Sequence, residues 1–217
     1  MNEQLFIEEC KKIGINPTKT QMDQLDKLYK YMIEYNKNVN LTRIIEKEDV
    51  YLKHYYDSLT LVKSIDLNTV NTLCDVGTGA GFPGLVLKIF FPNLNITLVD
   101  SLNKRVVYLN KVIELLDLKN IKAIHSRAED IKDEYDVVVS RAVARIDKLI
   151  NISYSLVKKD GYLIAMKAHF DEEEQYIKSK YKYELNRFLL PVEESERTIV
   201  KIKKWMLLFF VELFPGK

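Results

Sequence analysis

The chain has 217 residues, 33 basic and 31 acidic, a net charge of +2, and 47% of its residues are apolar. That is enough for one full hydrophobic core, and the composition is that of an ordinary globular protein, which excludes wholesale disorder. Two cysteines, Cys10 and Cys74, exclude a disulfide framework and a four-cysteine zinc site, and three scattered histidines speak against a metal enzyme. No apolar run reaches the ~18 residues of a membrane helix. The opening Met1 to Cys10 carries three glutamates and no basic stretch ahead of an apolar run, so a secretory signal is not expected. The expected compartment is the reducing cytoplasm.

The first 66 residues read as helical. Asn16-Pro17 has the form of an N-cap followed by proline at the first helical position. Met22, Leu25, Leu28, Tyr29, Met32 and Ile33 then follow three-and-four spacing, one apolar stripe. The asparagine-rich segment from Asn36 to Glu46 reads as a loop. A second helix is expected from about Asp49, with Tyr51, Tyr55, Leu59 and Val62 on one face.

After Asp66 short apolar runs alternate with helical stretches. The runs are Thr72–Gly77, Asn95–Ser101, Ile121–Ser126, Tyr135–Arg141 and Gly161–Lys167. Val106, Leu109, Ile113 and Leu116 mark one intervening helix, and Ile146, Leu149 and Ile150 open another. Strand and helix in alternation predict βαβ units and a parallel sheet. Strands buried on both faces explain the unbroken run Asp136-Val-Val-Val-Ser140. Tyr183–Leu190 and Thr198–Lys204 lie too close for a crossover helix, so they are expected to pair antiparallel. The fold class is α/β: seven strands, mostly parallel, with a terminal antiparallel hairpin.

Four of the seven glycines fall within eight positions, Gly77, Gly79, Gly81 and Gly84, between a strand ending at Asp75-Val76 and a helix opening near Pro83. Such a loop lets a ligand approach the backbone and places anionic groups at a helix N-terminus. Asp100 ends the second strand, 23 residues past Gly77, where a carboxylate accepts hydrogen bonds from ribose hydroxyls. A nicotinamide dinucleotide and S-adenosyl-L-methionine both carry that ribose. Asp75 at the loop entrance repels a pyrophosphate and suits an ammonium or sulfonium. The antiparallel end of the sheet and the lack of a separate substrate domain point the same way. A small nicotinamide-dependent oxidoreductase and a non-catalytic RNA-binding protein on the same fold are the rival readings.

The loop, Asp100-Ser101-Leu102 with Lys104-Arg105, Arg127-Ala128-Glu129 and Ser140-Arg141-Ala142 together resemble the bacterial small-subunit (16S) ribosomal RNA methyltransferase G family. Asn40-Leu41-Thr42-Arg43 and His54 with Asp57-Ser58-Leu59 fit it too. The resemblance spans about residues 36–204. It implies a Rossmann-like S-adenosylmethionine-dependent methyltransferase fold, and methyl transfer to guanine N7 in a loop of small-subunit ribosomal RNA. On this reading residues 1–66 are a helical extension, 67–204 the methyltransferase domain and 205–217 a tail.

The resemblance implies roles residue by residue. Gly77 and Phe82 line the methyl donor, Gly79 and Gly81 shape the loop, Asp100 holds the ribose hydroxyls, Ser101 belongs to the donor site, and Ala128 and Glu129 flank the adenine. Arg141 is the site arginine. Arg127, Arg141, Arg145, Lys104 and Arg105 are the expected RNA contacts. Plainer readings stand beside these. Phe82 suits a core, Glu129 a helix start, and Arg141 a surface pair with Asp136 or Asp147. Lys104 and Arg105 suit the start of a solvated helix. His54 on a tyrosine-rich helix reads as packed or exposed, with Asp57 and Ser58 as helix–sheet contacts. Guanine N7 carries a lone pair and no proton, so no general base is expected, and alignment and electrostatic fit carry the reaction. The partner expected is ribosomal RNA or the small subunit, with no membrane, no metal and a monomeric chain.

Met1 to Asp66 is net −1, whereas Arg141 to His169 and Lys178 to Lys204 are each net +4, which suits a polyanion but on charge alone reads first as a solvated lysine-rich surface. The tail departs from the family: nine of the ten residues from Trp205 to Phe214 are apolar.

Overall fold

The structure is a computed structural model that describes residues 1–141, 144–179 and 181–205. Two helices open the chain, α1 (Glu3–Lys12) and α2 (Lys19–Val39). The N-cap of α2 is Thr18, two residues beyond the predicted N-cap Asn16. Thr18 and Gln21 close a capping box, each side chain bonding the other's backbone N–H, and this satisfies two orphan donors where a proline removes only one. Leu25, Leu28 and Met32 are buried, as the stripe predicts.

The second helical segment differs from the single amphipathic helix expected. One turn, α3 (Lys47–Asp49), leads into a π-helix, Val50–Tyr56, and another turn, α4 (Asp57–Leu59). Val50, Tyr51, Leu52, His54, Tyr55 and Tyr56 are all buried. The widened π turn therefore has no solvent face over most of its length, and a 3.6-residue stripe does not describe it.

The seven strands follow in the predicted order: β1 (Thr72–Val76), β2 (Asn95–Asp100), β3 (Ile121–His125), β4 (Tyr135–Arg141), β5 (Val157–Lys167), β6 (Tyr183–Leu189) and β7 (Glu196–Lys203). The sheet order is β3-β2-β1-β4-β5-β7-β6. Pairs among the first five strands are parallel, and β7 runs antiparallel to both β5 and β6. The last strand thus inserts between β5 and β6.

Helices α5 (Gly84–Phe90) and α6 (Asn103–Leu115) share one core with α1, α2 and the π-helix, and α7 (Ile146–Ser153) packs into a second core. Val137 and Val139 enter the first core and Val138 the second. That is why Val137, Val138 and Val139 are apolar at consecutive positions. The strand order reverses between β1 and β4, which opens a crevice at their carboxyl ends.

Candidate functional site

The glycine loop leaves β1 and is pinned at both ends. Asp75 is fully buried, and its Oδ2 accepts from Thr78 Oγ1 at 2.7 Å and from Gly84 N at 2.8 Å. Burial pushes its carboxyl up to about 6, against those two bonds, which favour the ionised form. The Asp75 side chain lies beneath the loop and does not line the cavity beside it. Gly77 and Thr78 donate to Val99 O at 2.8 and 3.1 Å. Gly77, Gly79 and Gly81 all have positive φ. At Gly81, with φ +95°, a Cβ would stand 2.2 Å from Leu85 Cδ1, so only glycine fits.

Asp100, at the end of β2, is 2% exposed. Its Oδ2 accepts from Gly79 N at 2.9 Å and from Arg105 Nη1 at 3.3 Å, and its Oδ1 from Leu102 N at 2.9 Å. The carboxylate joins the loop to the start of α6. A carboxylate offers about four acceptor positions, so three bonds leave it able to take one more donor.

Arg141, at the end of β4, turns toward the π-helix rather than toward Asp136 or Asp147. Those two acids pair with Lys158 at 2.9 Å and Arg145 at 2.7 Å. Arg141 Nη1 donates to Lys53 O at 2.9 Å and Asp57 Oδ2 at 3.1 Å, and Nη2 donates to His54 Nδ1 at 3.0 Å. Asp57 also accepts from Arg197 Nε of β7 at 3.0 Å. The π-helix and the first residue of α4 present Lys53 O, His54 and Asp57 together to one guanidinium. The His54 ring stacks on Phe82 at 4.5 Å, and the Arg141 guanidinium lies 5.5 Å from the same Phe82 ring. Burial, and then the Arg141 charge, push the His54 pKa down to about 3, so the ring is neutral at pH 7.

These groups enclose a cavity of about 410 Å³, lined by Leu41, Thr42 and His54, by the loop from Gly77 to Ala80 with Phe82, by Asp100, Ser101 and Arg105, and by Arg141. That volume lies within the range of about 300–1,000 Å³ usual for small-molecule sites. A larger cavity, about 560 Å³, runs between Asn95–Thr97, Asn120–Lys122 and Asp133–Tyr135, at the opposite ends of the strands from the glycine loop.

Residues 21–199 match the family model described as rRNA small subunit methyltransferase G. The chain belongs to the small-subunit ribosomal RNA methyltransferase G family. It is 44% identical to the ribosomal RNA small subunit methyltransferase G of Bacillus subtilis, covering 94% of this chain and 91% of that protein. Identity to its Lachnoclostridium phytofermentans counterpart is 44%, over 92% and 88% of the two chains. Among solved structures, a SAM-dependent methyltransferase from Aquifex aeolicus aligns with TM-score 0.56 at 16% identity over 76% of this chain and 96% of that one. The YcgJ protein from Bacillus aligns with TM-score 0.58 at 12% identity over 70% and 99%. The fold is the Rossmann-like methyltransferase fold.

The residues singled out by resemblance to the methyltransferase G family separate into those that meet and those that stand apart. Gly77, Gly79, Phe82, Asp100, Ser101, Arg105 and Arg141 border the cavity. Gly81 stands behind the loop against Leu85. Ala128 is buried in the second core and Glu129 is exposed; neither lines the cavity, although the turn before them is joined to β2 by Ser126 N on Asp100 O at 3.2 Å. Lys104 and Arg127 are exposed. Arg145 is held by Asp147 and lies 4.0 Å from the Tyr176 ring. Ala142 and the tail from Met206 onward fall outside the described residues.

His54, expected from sequence to be packed or exposed, is packed against Phe82 and also stands in the cavity wall beside Thr42, which sequence alone does not indicate. Asp57, read as a helix–sheet contact, is the acceptor shared by Arg141 and Arg197. The signal lay in the paired family segments at 40–43 and 54–59. Among the described residues, no helix is long and apolar enough to cross a membrane.

Proposed function

We propose that this chain transfers the methyl group of S-adenosyl-L-methionine to N7 of a guanine in small-subunit ribosomal RNA. The observation that carries this reading is the crevice at the carboxyl ends of β1, β2 and β4, where bare glycine backbone and the Asp100 carboxylate border one cavity. A Cβ at Gly79 would meet nothing closer than Gly77 O at 4.0 Å, so the loop presents backbone to open space. Asp100 has acceptor capacity left for a ribose hydroxyl, and its longest bond, to the partly exposed Arg105, is the one most easily exchanged. Gly77, Gly79, Phe82 and Ser101 would hold the rest of the methyl donor, with Gly81 shaping the loop and Ala128 and Glu129 at the adenine edge.

When bound, S-adenosyl-L-methionine supplies an electrophilic sulfonium methyl. The chain's own residues have no proton to remove from guanine N7. Neutral His54 and buried Asp75 are accordingly not placed as bases. Their work is alignment and water exclusion. Arg127, Arg141, Arg145, Lys104 and Arg105 are the cations offered to the RNA. In this reading residues 67–204 form the catalytic domain and residues 1–66 an extension that lends Leu41, Thr42 and His54 to the cavity. The chain works as a cytoplasmic monomer without a metal.

Calorimetric titration with S-adenosyl-L-methionine, with NADH as control, tests the donor site. Saturable binding of the first alone, followed by labelled-methyl transfer to guanine N7 in small ribosomal subunits, is the expected result. NADH binding alone, or binding of neither, overturns the reading.

A further inference from the structure

Methyl transfer to N7 poses a recognition problem that N7 cannot solve. Guanine and adenine both present N7 as an acceptor on the same edge. They differ beside it, where guanine carries the O6 acceptor and adenine an N6 amine donor. A group that only donates, placed at that position, separates the two bases.

Thr42 is such a group. A guanidinium has donors and no acceptor. Arg141 Nη2 therefore donates to His54 Nδ1 at 3.0 Å, which leaves the ring proton on Nε2. Nε2–H then donates to Thr42 Oγ1, also at 3.0 Å. The backbone N–H of Ile44 donates to the same oxygen at 3.1 Å. A hydroxyl oxygen has two lone pairs and one hydrogen. Both lone pairs are taken, and among the described residues no acceptor takes the hydrogen. The half-buried Thr42 lines the cavity with His54, Phe82 and Arg141. Its hydroxyl can donate and cannot accept.

Resting on the reading of the site as a guanine-N7 methyltransferase, we propose that the Thr42 hydroxyl donates to O6 of the target guanine and thereby selects guanine over adenine. His54 is a positioning residue: it acts through Thr42 by holding the hydroxyl in its donating state. Arg141, fixed by Lys53 O and Asp57, sets the His54 tautomer. An adenine at the same place brings its amine against an oxygen with no free lone pair.

The test uses the full chain, wild type and Thr42→Val, Thr42→Ala and Thr42→Ser, with small ribosomal subunits carrying either the target guanine or 2-aminopurine at that position. 2-Aminopurine keeps N7 and lacks O6. Thr42→Val is expected to bind S-adenosyl-L-methionine within about twofold of wild type and to lose about 10-fold in kcat/KM on guanine. Thr42→Ser, which keeps the hydroxyl, should stay within about threefold. On 2-aminopurine, wild type and Thr42→Val should be equally slow. Thr42→Ala makes the same comparison should the valine variant not fold. Unchanged kcat/KM on guanine in Thr42→Val overturns the proposal, and so does an equal loss on both bases. A loss of donor affinity as large as the loss in kcat/KM also overturns it, because the hydroxyl would then serve the methyl donor. A wild-type chain that methylates neither base at N7 refutes the methyltransferase reading itself.

Discussion

Replacing Asp57 by alanine removes the one carboxylate that two half-buried arginines share. Asp57 Oδ2 lies 3.1 Å from Arg141 and Oδ1 lies 3.0 Å from Arg197, and their side chains are 8%, 14% and 17% exposed. Breaking a buried ion pair by removing one partner costs about 3–5 kcal/mol, because the remaining charge stays desolvated. Here two cations are left close to each other. Each keeps a carbonyl partner, Lys53 O at 2.9 Å for Arg141 and Glu196 O at 2.7 Å for Arg197, and each has some reach to water. These contacts place the loss near the lower bound, about 3 kcal/mol. For a chain of this size each kcal/mol moves the melting temperature by about 2–4 °C, so thermal unfolding followed by circular dichroism should fall by about 6–12 °C. Adding Arg197→Leu to Asp57→Ala removes one uncompensated cation and should recover about 1 kcal/mol. A fall below about 2 °C in the single variant would refute the reasoning, since water would then solvate both guanidiniums without cost. A further loss in the double variant would refute it too.

The remaining predictions concern the loop, the ligand and pH. Asp100→Ala should weaken S-adenosyl-L-methionine binding by about 1–3 kcal/mol in calorimetry through lost charged hydrogen bonds, and unchanged affinity would remove Asp100 from the ribose site. Gly81→Ala forces a Cβ to 2.2 Å from Leu85 Cδ1 at φ +95° and should cost about 2–4 kcal/mol in urea unfolding; a loss under about 0.5 kcal/mol would mean that Leu85 yields freely. His54 stays neutral in the folded chain down to about 3, while in the unfolded chain it takes a proton below about 6.5. The unfolded state thus binds more protons in that window, and stability falls as pH drops through it. Asp75, raised to about 6, acts in the opposite direction between there and its ordinary range, equally in wild type and variant. The destabilisation caused by His54→Phe should therefore shrink by about 1.4 kcal/mol per unit as pH falls from 6.5 to 5. A pH-independent difference between the two proteins would show that His54 titrates normally.

The strands were legible because their chemistry is local. Asp136-Val-Val-Val-Ser140 has no polar alternation, and a strand covered on both faces needs none. Asp100 was legible from its spacing to the glycine loop. The π-helix was not, because Val50 to Tyr56 bury side chains all round and leave no stripe whose period could be read. The start of α2 lies two residues beyond the Asn16-Pro17 signal although Thr18-Lys-Thr-Gln21 spells a capping box, because the neighbouring proline gave the competing signal. The partner of Arg141 was out of reach for another reason. Asp57 lies 84 positions away, and nearer acids, Asp136 and Asp147, offered themselves. Long-range ion pairs depend on topology, and the insertion of β7 that brings Arg197 to Asp57 leaves no mark in either segment alone.

That insertion orders the assembly of the molecule in time. Among the described residues, β6 has no hydrogen-bonded neighbour in the sheet except β7, and β7 comes later in the chain. During synthesis, therefore, β6 emerges before the strand it pairs with. Arg197 comes with β7 and bonds Asp57, the residue that also steadies Arg141 beside the cavity. A chain interrupted before Glu196 lacks Arg197, and the arginine wall of the crevice then lacks its last partner. The order of the strands makes a finished site coincide with a finished sheet.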